Sequence, residues 1–320
     1  MPIPAIFQHQ RLPVIAAPMF LVSGPELVIA TLKSGVAGTF PALNQRTTEG
    51  FEQWVVQVSE ALAAHRAQSP EAPHAPYGVN LIVHRSNPRL HADLEVCVRH
   101  RVPFIITSLG AVSDLVNAVH SYGGLVFHDI TTRRHAEKAV EAGVDGLILV
   151  TGGAGGHAGT TNPFALMAEI RSFYSGTILL AGALSTGRDV AAARVMGADF
   201  AYMGTRFIAT AEANAQPEYK EMLLATSAGD IVHTPAVSGV PANFMRPSLE
   251  QNGYDMAKLL NPAHVNMGEA LTVNEEAKAW KTVWSAGHGV SAIHDVPTVA
   301  ELVDRLESEY REALKQAATW

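Results

Sequence analysis

The sequence predicts an α/β protein built on a closed (β/α)8 barrel, and three observations lead to that class. Short apolar runs recur along the chain, and each is followed by a loop and then a helical pattern. The runs are continuous rather than alternating, which is typical of strands buried on both faces of a parallel sheet. Eight such runs fit a TIM barrel, which closes eight strands in about 250 residues.

Composition limits the classes of function. The 320 residues are 48% hydrophobic and 17% charged, enough for one large domain with an insertion. A net charge of −7 argues against nucleic acid and anionic membranes as partners. No apolar run reaches the ~18–20 residues of a membrane span, and the first residues lack the pattern of a signal peptide. Because Cys97 is the single cysteine, we expect a cytoplasmic protein without an internal disulfide.

The predicted strands follow one another in chain order. They are Pro13–Ala17, Val36–Phe40, Tyr77–Leu81, Pro103–Thr107, Gly124–His128, Asp145–Val150, Thr177–Ala181 and Asp199–Gly204. A weak internal repeat supports them, because "EAGVDGLIL" (141–149) and "VMGADFAYM" (195–203) share a helix end, a glycine, an aspartate and a strand. In both, the glycine ends a helix and the chain turns directly into the sheet.

Helical patterns fill the intervals between these strands, as at Arg133–Ala142 and Val190–Met196. The last helix is predicted over Val299–Lys315. Thr298 and Glu301 have the spacing of a capping box, in which each side chain bonds to the other residue's backbone. We assign this segment as the eighth helix of the barrel.

More than a hundred residues follow the eighth strand, so a segment must be inserted before the last helix. We expect a small, mainly helical insertion over residues 210–284, helical at Pro217–Ala225 and irregular over residues 233–247. The barrel then comprises residues 1–209 and 285–320. A lid that contributes to the substrate pocket is the natural use of such an insertion.

Active sites of this fold gather at the carboxyl ends of the strands, with a phosphate site after strands seven and eight. The loops at those two places are "AGALSTGRD" (181–189) and "MGTRFIAT" (203–210). Gly182 and Gly204 directly follow their strands and let backbone N–H groups face an anion, and Thr205 adds a hydroxyl. Tight turns alone would also explain each glycine, but both together predict anion binding.

Four other strand ends reach the same mouth of the barrel. Their side chains are Ala17, Pro18, Met19, Asn80, Ser108, His128 and Asp129. Ala17 and Met19 can lie against a flat ring without competing polar groups. The amide of Asn80 can both donate and accept hydrogen bonds, although a turn or cap residue would serve as well there.

The stretch "VTGGAGGHAGTTN" (150–162) concentrates glycine around one histidine. "GAGGHA" fits the G-x-G-x-x-A pattern of dinucleotide-binding folds, but no acidic residue ends the following strand and the helix starts late, near Asn162. We therefore favour a loop in which Gly155 and Gly156 lie against a bulky bound group. His157 then projects over that group, with little else to pack against, as a catalytic or substrate-contacting residue. The fourteen histidines show no metal-ligand spacing, so no metal is predicted.

Seven motifs, in this order along the chain, resemble those of the nitronate monooxygenase family, formerly called 2-nitropropane dioxygenases. They are "AAPM" (16–19), "GVNL" (78–81), "GGAGGHAG" (152–159), "AGAL" (181–184), "MGTRFIAT" (203–210), "GVPANFMRP" (239–247) and "WSAGHGV" (284–290). The resemblance implies an FMN-dependent TIM barrel with a small second domain. Members of that family oxidise alkyl nitronates with O2 to carbonyl compounds and nitrite.

The resemblance also implies which residues hold the cofactor. His157 matches the active-site histidine of the family. The flavin would contact Ala17, Pro18, Met19, Asn80 and Ser108, with its phosphate on Gly182, Ala183, Gly204 and Thr205. A returning loop would add Gly287 and His288 near the cofactor.

Three residues depart from the family pattern. Many relatives have glycine at Ala183, where a backbone N–H would still serve, and many have glutamine at His288. Some NADH-oxidising relatives carry a lysine at Asp129. A cation there would stabilise a reduced flavin anion and a carboxylate would oppose it, so Asp129 either points away or the potential is tuned otherwise.

Two other functions stay open at this point. One is NAD(P)H-dependent reduction of a quinone or enoyl thioester by the same flavin. The other is a flavin-free lyase or isomerase acting on a phosphorylated metabolite. In the favoured function the partners are a small-molecule substrate, either a nitronate or another electron donor or acceptor, and O2, and a homodimer stays open.

Overall fold

A closed barrel of eight parallel strands forms the body of the molecule. The computed structural model describes residues 3–110, 112–259 and 280–319. The strands of the described chain are β1 (Val14–Ala16), β2 (Ala37–Pro41), β3 (Tyr77–Ile82), β4 (Phe104–Ser108), β5 (Leu125–Ile130), β6 (Gly146–Val150), β7 (Gly156–His157), β8 (Thr177–Ala181), β9 (Phe200–Met203), β10 (Ile231–Thr234) and β11 (Ala242–Met245). The barrel order is β1-β2-β3-β4-β5-β6-β8-β9, and β9 pairs with β1 to close it. The predicted TIM barrel is confirmed.

Helices follow the barrel strands and surround them. The α-helices of the described chain are α1 (Pro25–Lys33), α2 (Thr48–Gln68), α3 (Leu90–Arg99), α4 (Ser113–His120), α5 (Arg133–Glu141), α6 (Pro163–Arg171), α7 (Gly187–Val195), α8 (Thr205–Ile208), α9 (Pro217–Ala225), α10 (Arg246–Gln251), α11 (Met256–Leu259) and α12 (Val299–Ala317). Short 3-10 helices occupy Ala5–Phe7, Ala42–Asn44, Ala228–Asp230 and His288–Ala292. No helix in the described part of the chain has both the length and the apolar character that a membrane crossing requires.

The last helix completes the outer ring as predicted. At the start of α12, the Thr298 hydroxyl accepts a hydrogen bond from the Glu301 N–H, and the Glu301 carboxylate accepts one from the Thr298 N–H, so the capping box is present. The helix packs against α7 and also touches α1. This contact is close at Gly187, where a Cβ would lie 2.5 Å from the Tyr310 backbone nitrogen.

The fifth barrel strand is longer than its sequence pattern suggests. The apolar run predicts an end at His128, but β5 continues through Asp129 to the buried Ile130. Asp129 is paired in register with Ile148 of β6, so its backbone is held by the sheet rather than by a loop.

Aromatic side chains close the amino-terminal end of the barrel. Phe7 comes from the short 3-10 helix that precedes β1, and its ring lies 4.8 to 6.0 Å from the rings of Phe104, Phe127 and Phe200. All four are at most 3% exposed. Because this end is filled, the opposite end, where the strands terminate, is the one left for a site.

The insertion contains a small sheet that the sequence does not reveal. The segment 233–247, predicted to be irregular, holds part of β10 and all of β11, which pair antiparallel. β11 also pairs with β7, the two-residue strand Gly156–His157 of the barrel's own loop. Val232, Phe244 and Leu249 form a second small core beside Trp280. The predicted helix Pro217–Ala225 is confirmed as α9, and residues 260–279 of the insertion lie outside the described residues.

We expect Phe7→Ala to lower the free energy of unfolding by about 3–5 kcal/mol, because a buried ring is replaced by a cavity. Urea denaturation followed by circular dichroism measures this change. Phe164→Ala is the matched control, since Phe164 is 68% exposed on α6 and should change stability by less than about 0.5 kcal/mol. Equal losses of stability in the two variants would contradict the role of Phe7 in filling the amino-terminal end of the barrel.

Candidate active site

A cavity of about 930 Å³ opens at the carboxyl end of the barrel, beneath the insertion. Fourteen of the fifteen residues predicted from the sequence line it. They are Ala17, Pro18, Met19, Asn80, Ser108, Asp129, Gly155, Gly156, His157, Gly182, Ala183, Gly204, Thr205 and Gly287. The fold therefore brings together residues that are up to 270 positions apart, counting from Ala17 to Gly287.

The glycine-rich loop after β6 packs against two other loops. The Gly153 carbonyl accepts hydrogen bonds from the N–H groups of Ala183 and His288, each at 3.0 Å. A Cβ at Gly155 would lie 2.7 Å from the Gly287 nitrogen, and one at Gly287 would lie 2.5 Å from the Gly153 oxygen. Real side chains do not fit at such distances, so these glycines make room for neighbouring backbone. The sequence favours a bound group as the reason for Gly155 and Gly156; the structure adds close backbone packing as a reason for Gly155, and both residues line the cavity.

Ala183 lines the cavity but does not offer its N–H to it. That N–H is already bonded to Gly153, which contradicts the expectation that it serves a phosphate. Ala183 also has a φ of +57°, in the left-handed region that favours glycine. Its conformation explains why a glycine suits this position and leaves Gly182, Gly204 and Thr205 as the remaining anion candidates from the sequence.

His288 is the predicted residue that the structure does not bring to the cavity. The lining continues from Gly287 to Gly289 without it. Burial lowers the pKa of its imidazole, with a smaller contribution from His233. Its contribution is the backbone N–H that binds Gly153, so the sequence expectation of a side chain near a cofactor is not met.

His157 lies in a short strand rather than a free loop. In β7 it is in register with Ala242 of β11, and its half-buried side chain faces the cavity. Its ring meets Trp280 edge-on, with centroids 5.4 Å apart. The prediction that His157 has little to pack against except a ligand is therefore wrong. The backbone pairing and the indole fix the imidazole in place before any ligand arrives.

Asn243 holds the loop that carries His157, and sequence reasoning gave it no role. It is fully buried in β11, and its amide nitrogen donates to the carbonyls of Gly152 at 2.9 Å and Ala154 at 2.6 Å. Its amide oxygen lies 2.9 Å from Nδ1 of His233. A buried amide inside the apolar run "PANFM" is a signal for such bonds, because polar groups are seldom buried without partners.

Three side chains form a hydrogen-bonded row on the cavity floor. The Asn80 amide nitrogen lies 2.8 Å from the Ser108 hydroxyl, which lies 2.5 Å from Oδ2 of Asp129. The other carboxyl oxygen, Oδ1, is buried and has no hydrogen-bond partner among the described residues. Burial raises the pKa of Asp129 to about 6, although Ser108 and, more weakly, His157 act in the opposite direction.

Hydroxyl groups stand near the turns after β8 and β9. The Ser185 hydroxyl is buried in the cavity wall and has no hydrogen-bond partner within the described chain. Thr205 Oγ1 accepts a hydrogen bond of 3.0 Å from the Gly287 N–H. Ser185 adds a candidate for anion binding that the sequence analysis missed, because a serine after a glycine-containing turn reads as an ordinary loop residue.

The insertion supplies an aromatic wall. Tyr219 and Trp284 stack with centroids 5.1 Å apart and planes 6° apart, and the Tyr219 hydroxyl donates to the Ser285 carbonyl at 2.6 Å. Trp280 extends this wall toward His157. At the rim on the other side, His135 and Lys138 of α5 add basic side chains. No group of three potential metal ligands occurs within the described ranges.

Comparisons with known proteins identify a family by sequence and the fold by structure. The family profile described as nitronate monooxygenase matches residues 5–309. A nitronate monooxygenase of Paraburkholderia phytofirmans is 26% identical, over 95% of this chain and 93% of the relative. The solved structure of FabK from Thermotoga maritima superposes with a TM-score of 0.79 at 22% identity, over 98% of this chain and 97% of that one.

For some relatives the match covers only part of both chains. A 5-hydroxy-7a-methyl-1-oxo-octahydro-1H-indene-4-carboxyl-CoA dehydrogenase of Rhodococcus jostii is 27% identical over 75% of this chain and 65% of the relative. The chain spans 41 to 65% of the length of three curated relatives that it matches.

We expect Asn243→Ala to loosen the β6 loop, because it leaves the Gly152 and Ala154 carbonyls buried without their donor. The loss should be about 1–3 kcal/mol. Amide hydrogens of Gly155, Gly156 and His157 should then exchange at least about tenfold faster, as measured by mass spectrometry. Asn117→Ala, on the exposed face of α4, is the control. Unchanged exchange in Asn243→Ala would show that the loop is held without this amide.

A pH dependence of stability follows from the buried carboxyl of Asp129. Its folded pKa of about 6 exceeds the ordinary value of 3.8, so folding favours the neutral form. The contribution of the neutral Asp129 carboxyl to the free energy of unfolding is complete below pH 3.8 and is lost as the pH rises through 6. Asp129→Asn should therefore raise the free energy of unfolding by about 1–3 kcal/mol at pH 8 and leave it nearly unchanged at pH 4. Urea denaturation at both pH values, with FMN absent, tests this difference, and an equal effect at both would contradict it.

Proposed function

The chain belongs to the nitronate monooxygenase family of flavin-dependent oxidoreductases, and from that membership we propose that it binds FMN and oxidises alkyl nitronates with O2 to carbonyl compounds and nitrite. The single observation that supports this most strongly is that the fixed imidazole of His157 shares a cavity with the turns after β8 and β9. Those turns follow the seventh and eighth barrel strands, where TIM barrels frequently bind phosphate. Reduction of an enoyl thioester or a quinone by the same flavin is the alternative, and the side chains that line the cavity are the evidence for choosing between these substrates.

The residues of the cavity fit a flavin mononucleotide. An elongated ligand with a polar ring edge and a terminal anion needs partners at two places. The described cavity has a buried, unpartnered polar oxygen on its floor, at Asp129, and another in the wall after β8, at Ser185. Polar atoms are seldom buried without partners, so each of these oxygens suits a bound group. Ala17 and Met19 supply an apolar surface suited to the face of an aromatic ring.

The proposed cofactor contacts divide by chemistry. Gly182, Gly204, Thr205 and Ser185 would hold the phosphate, because their small side chains leave backbone and hydroxyl groups within reach. Asn80, Ser108 and Asp129 would meet the polar edge of the ring, and Pro18 lies in the turn that positions Met19. When bound, the flavin accepts electrons from the substrate and returns them to O2.

His157 would act on the substrate. A nitronate carries its negative charge on the nitro oxygens, so an imidazole N–H that faces them stabilises the bound anion. If the neutral nitroalkane binds, the same imidazole is placed to accept the α-proton. Trp280 and the backbone pairing of β7 keep the ring oriented, so its hydrogen bond requires little reorganisation during the reaction. The aromatic wall of Tyr219 and Trp284 would limit access of water.

One observation favours the second candidate, reduction of an enoyl thioester. His135 and Lys138 stand at the cavity rim, where they could bind the anionic tail of a carrier group. The Rhodococcus relative is named for a carboxyl-CoA substrate. A quinone lacks such a tail and gains nothing from these side chains.

A spectrum followed by two anaerobic titrations separates these functions. The purified protein should show flavin absorbance, and heat-released cofactor should be FMN by chromatography. Anaerobic bleaching within a catalytic time by a small alkyl nitronate, and slow bleaching by NADH, is the result expected for nitronate oxidation. Rapid bleaching by NADH would instead favour the thioester or quinone reductase. A colourless protein that binds no flavin would contradict both and favour the flavin-free lyase or isomerase.

We expect His157→Ala to lower turnover of alkyl nitronates by about a hundredfold or more, since it removes the group that stabilises the bound anion. FMN content, measured by absorbance, should stay near one per chain. His91→Ala, on the exposed face of α3, is the control and should retain full activity. Full turnover in His157→Ala would remove the imidazole from the reaction.

A further inference from the structure

The hydrogen-bonded row on the cavity floor runs in one direction only. The Asn80 amide nitrogen is a donor without lone pairs to accept, and it lies 2.8 Å from the Ser108 hydroxyl and 3.3 Å from the Ile106 carbonyl. The Ser108 oxygen therefore accepts from Asn80 and gives its own proton to Oδ2 of Asp129 at 2.5 Å. Oδ2 is thus an acceptor whether Asp129 is charged or neutral.

This direction determines where an acid proton of Asp129 resides. A proton on Oδ2 would face the Ser108 proton, so a neutral Asp129 carries its proton on Oδ1. Oδ1 is buried, has no hydrogen-bond partner among the described residues, and belongs to a side chain that lines the cavity. A ligand atom is the natural partner for Oδ1.

The surroundings of Asp129 favour the neutral carboxyl. Burial raises the pKa of Asp129, while the Ser108 hydrogen bond and, more weakly, His157 of β7 act in the opposite direction. Burial also raises the pKa of Tyr202 of β9, and the Asp129 charge raises it further. The preceding residue on β5, His128, lies 2.7 Å from the Thr107 hydroxyl, and burial lowers the pKa of His128 to about 4. Neither His128 nor Tyr202 supplies a positive charge at neutral pH.

We propose that Asp129 takes up a proton at Oδ1 when the flavin binds and donates it as a hydrogen bond to an acceptor on the flavin ring. This inference rests on the proposed function, because it requires a flavin in the cavity. It resolves the conflict seen in the sequence, where a carboxylate beside the ring would oppose a reduced flavin. A neutral carboxyl adds no negative charge and supplies a hydrogen-bond donor to the ring.

Proton-linked binding gives a direct test. Riboflavin is the probe, because the phosphate of FMN itself titrates near pH 6. Its Kd for the apoprotein, measured by fluorescence quenching, should be constant below the pKa of about 6 and rise about tenfold per pH unit from 6 to 8. Calorimetry in two buffers of different ionisation enthalpy should show uptake approaching one proton at pH 8. Asp129→Asn, which keeps the shape without the titration, should bind with no pH dependence and no proton uptake.

Two further variants separate a proton at Asp129 from other effects. Ser108→Ala removes the hydrogen bond that lowers the pKa of Asp129, so the break in the Kd profile should move to higher pH. A purely structural role for Ser108 would instead weaken binding equally at every pH. His157→Gln should keep the slope, since its imidazole is not the group that takes up the proton.

The outcomes distinguish this inference from the proposed function. A pH slope that persists in Asp129→Asn, or a flat profile in the unmodified protein, would overturn the role of Asp129 while leaving flavin binding intact. Absence of binding of both FMN and riboflavin to the unmodified protein would contradict the proposed function and with it the inference.

Discussion

The Gly153 carbonyl is the point on which the architecture of the cavity depends. Three segments meet there, since the loop after β6 supplies the acceptor and the loops after β8 and before the last helix supply the donors, Ala183 and His288. They can approach this closely only because glycines stand at 153, 155 and 287. A side chain at any of these positions would push two loops apart and displace the residues on either side of the junction.

The loop after β6 also joins the barrel to the insertion. Within this loop, the Gly153 carbonyl is bonded to the N–H groups of Ala183 and His288. The following residues form β7, which pairs with β11 and completes the small sheet. Asn243 binds the same loop from the side, through two carbonyls. His157 is therefore oriented by contacts from both halves of the chain, which is how a single imidazole can be held rigidly in a loop with so little side-chain mass.

The barrel could be predicted because each of its strands is a continuous apolar run, and the last helix because Thr298 and Glu301 mark its start. The site residues at the strand ends followed from the same architecture. The small sheet could not be predicted, because β7 has only two residues and one of them is glycine. The role of Asn243 depends on carbonyls about 90 residues away, and sequence spacing carries no information on such contacts. His288 is expected at the cavity because its motif matches, but the structure places it at the start of a 3-10 helix and outside the cavity lining.

Sharing β7 between the barrel loop and the small sheet has a consequence for ligand traffic. If the small sheet opened as a rigid body, the main-chain hydrogen bonds between β11 and β7, the strand that carries His157, would have to break. Molecules would therefore enter and leave by another part of the cavity mouth, which Ile82 and Leu109 also line. Ligand exchange then leaves the orientation of the His157 imidazole unchanged, so repeated turnovers require no repositioning of this side chain.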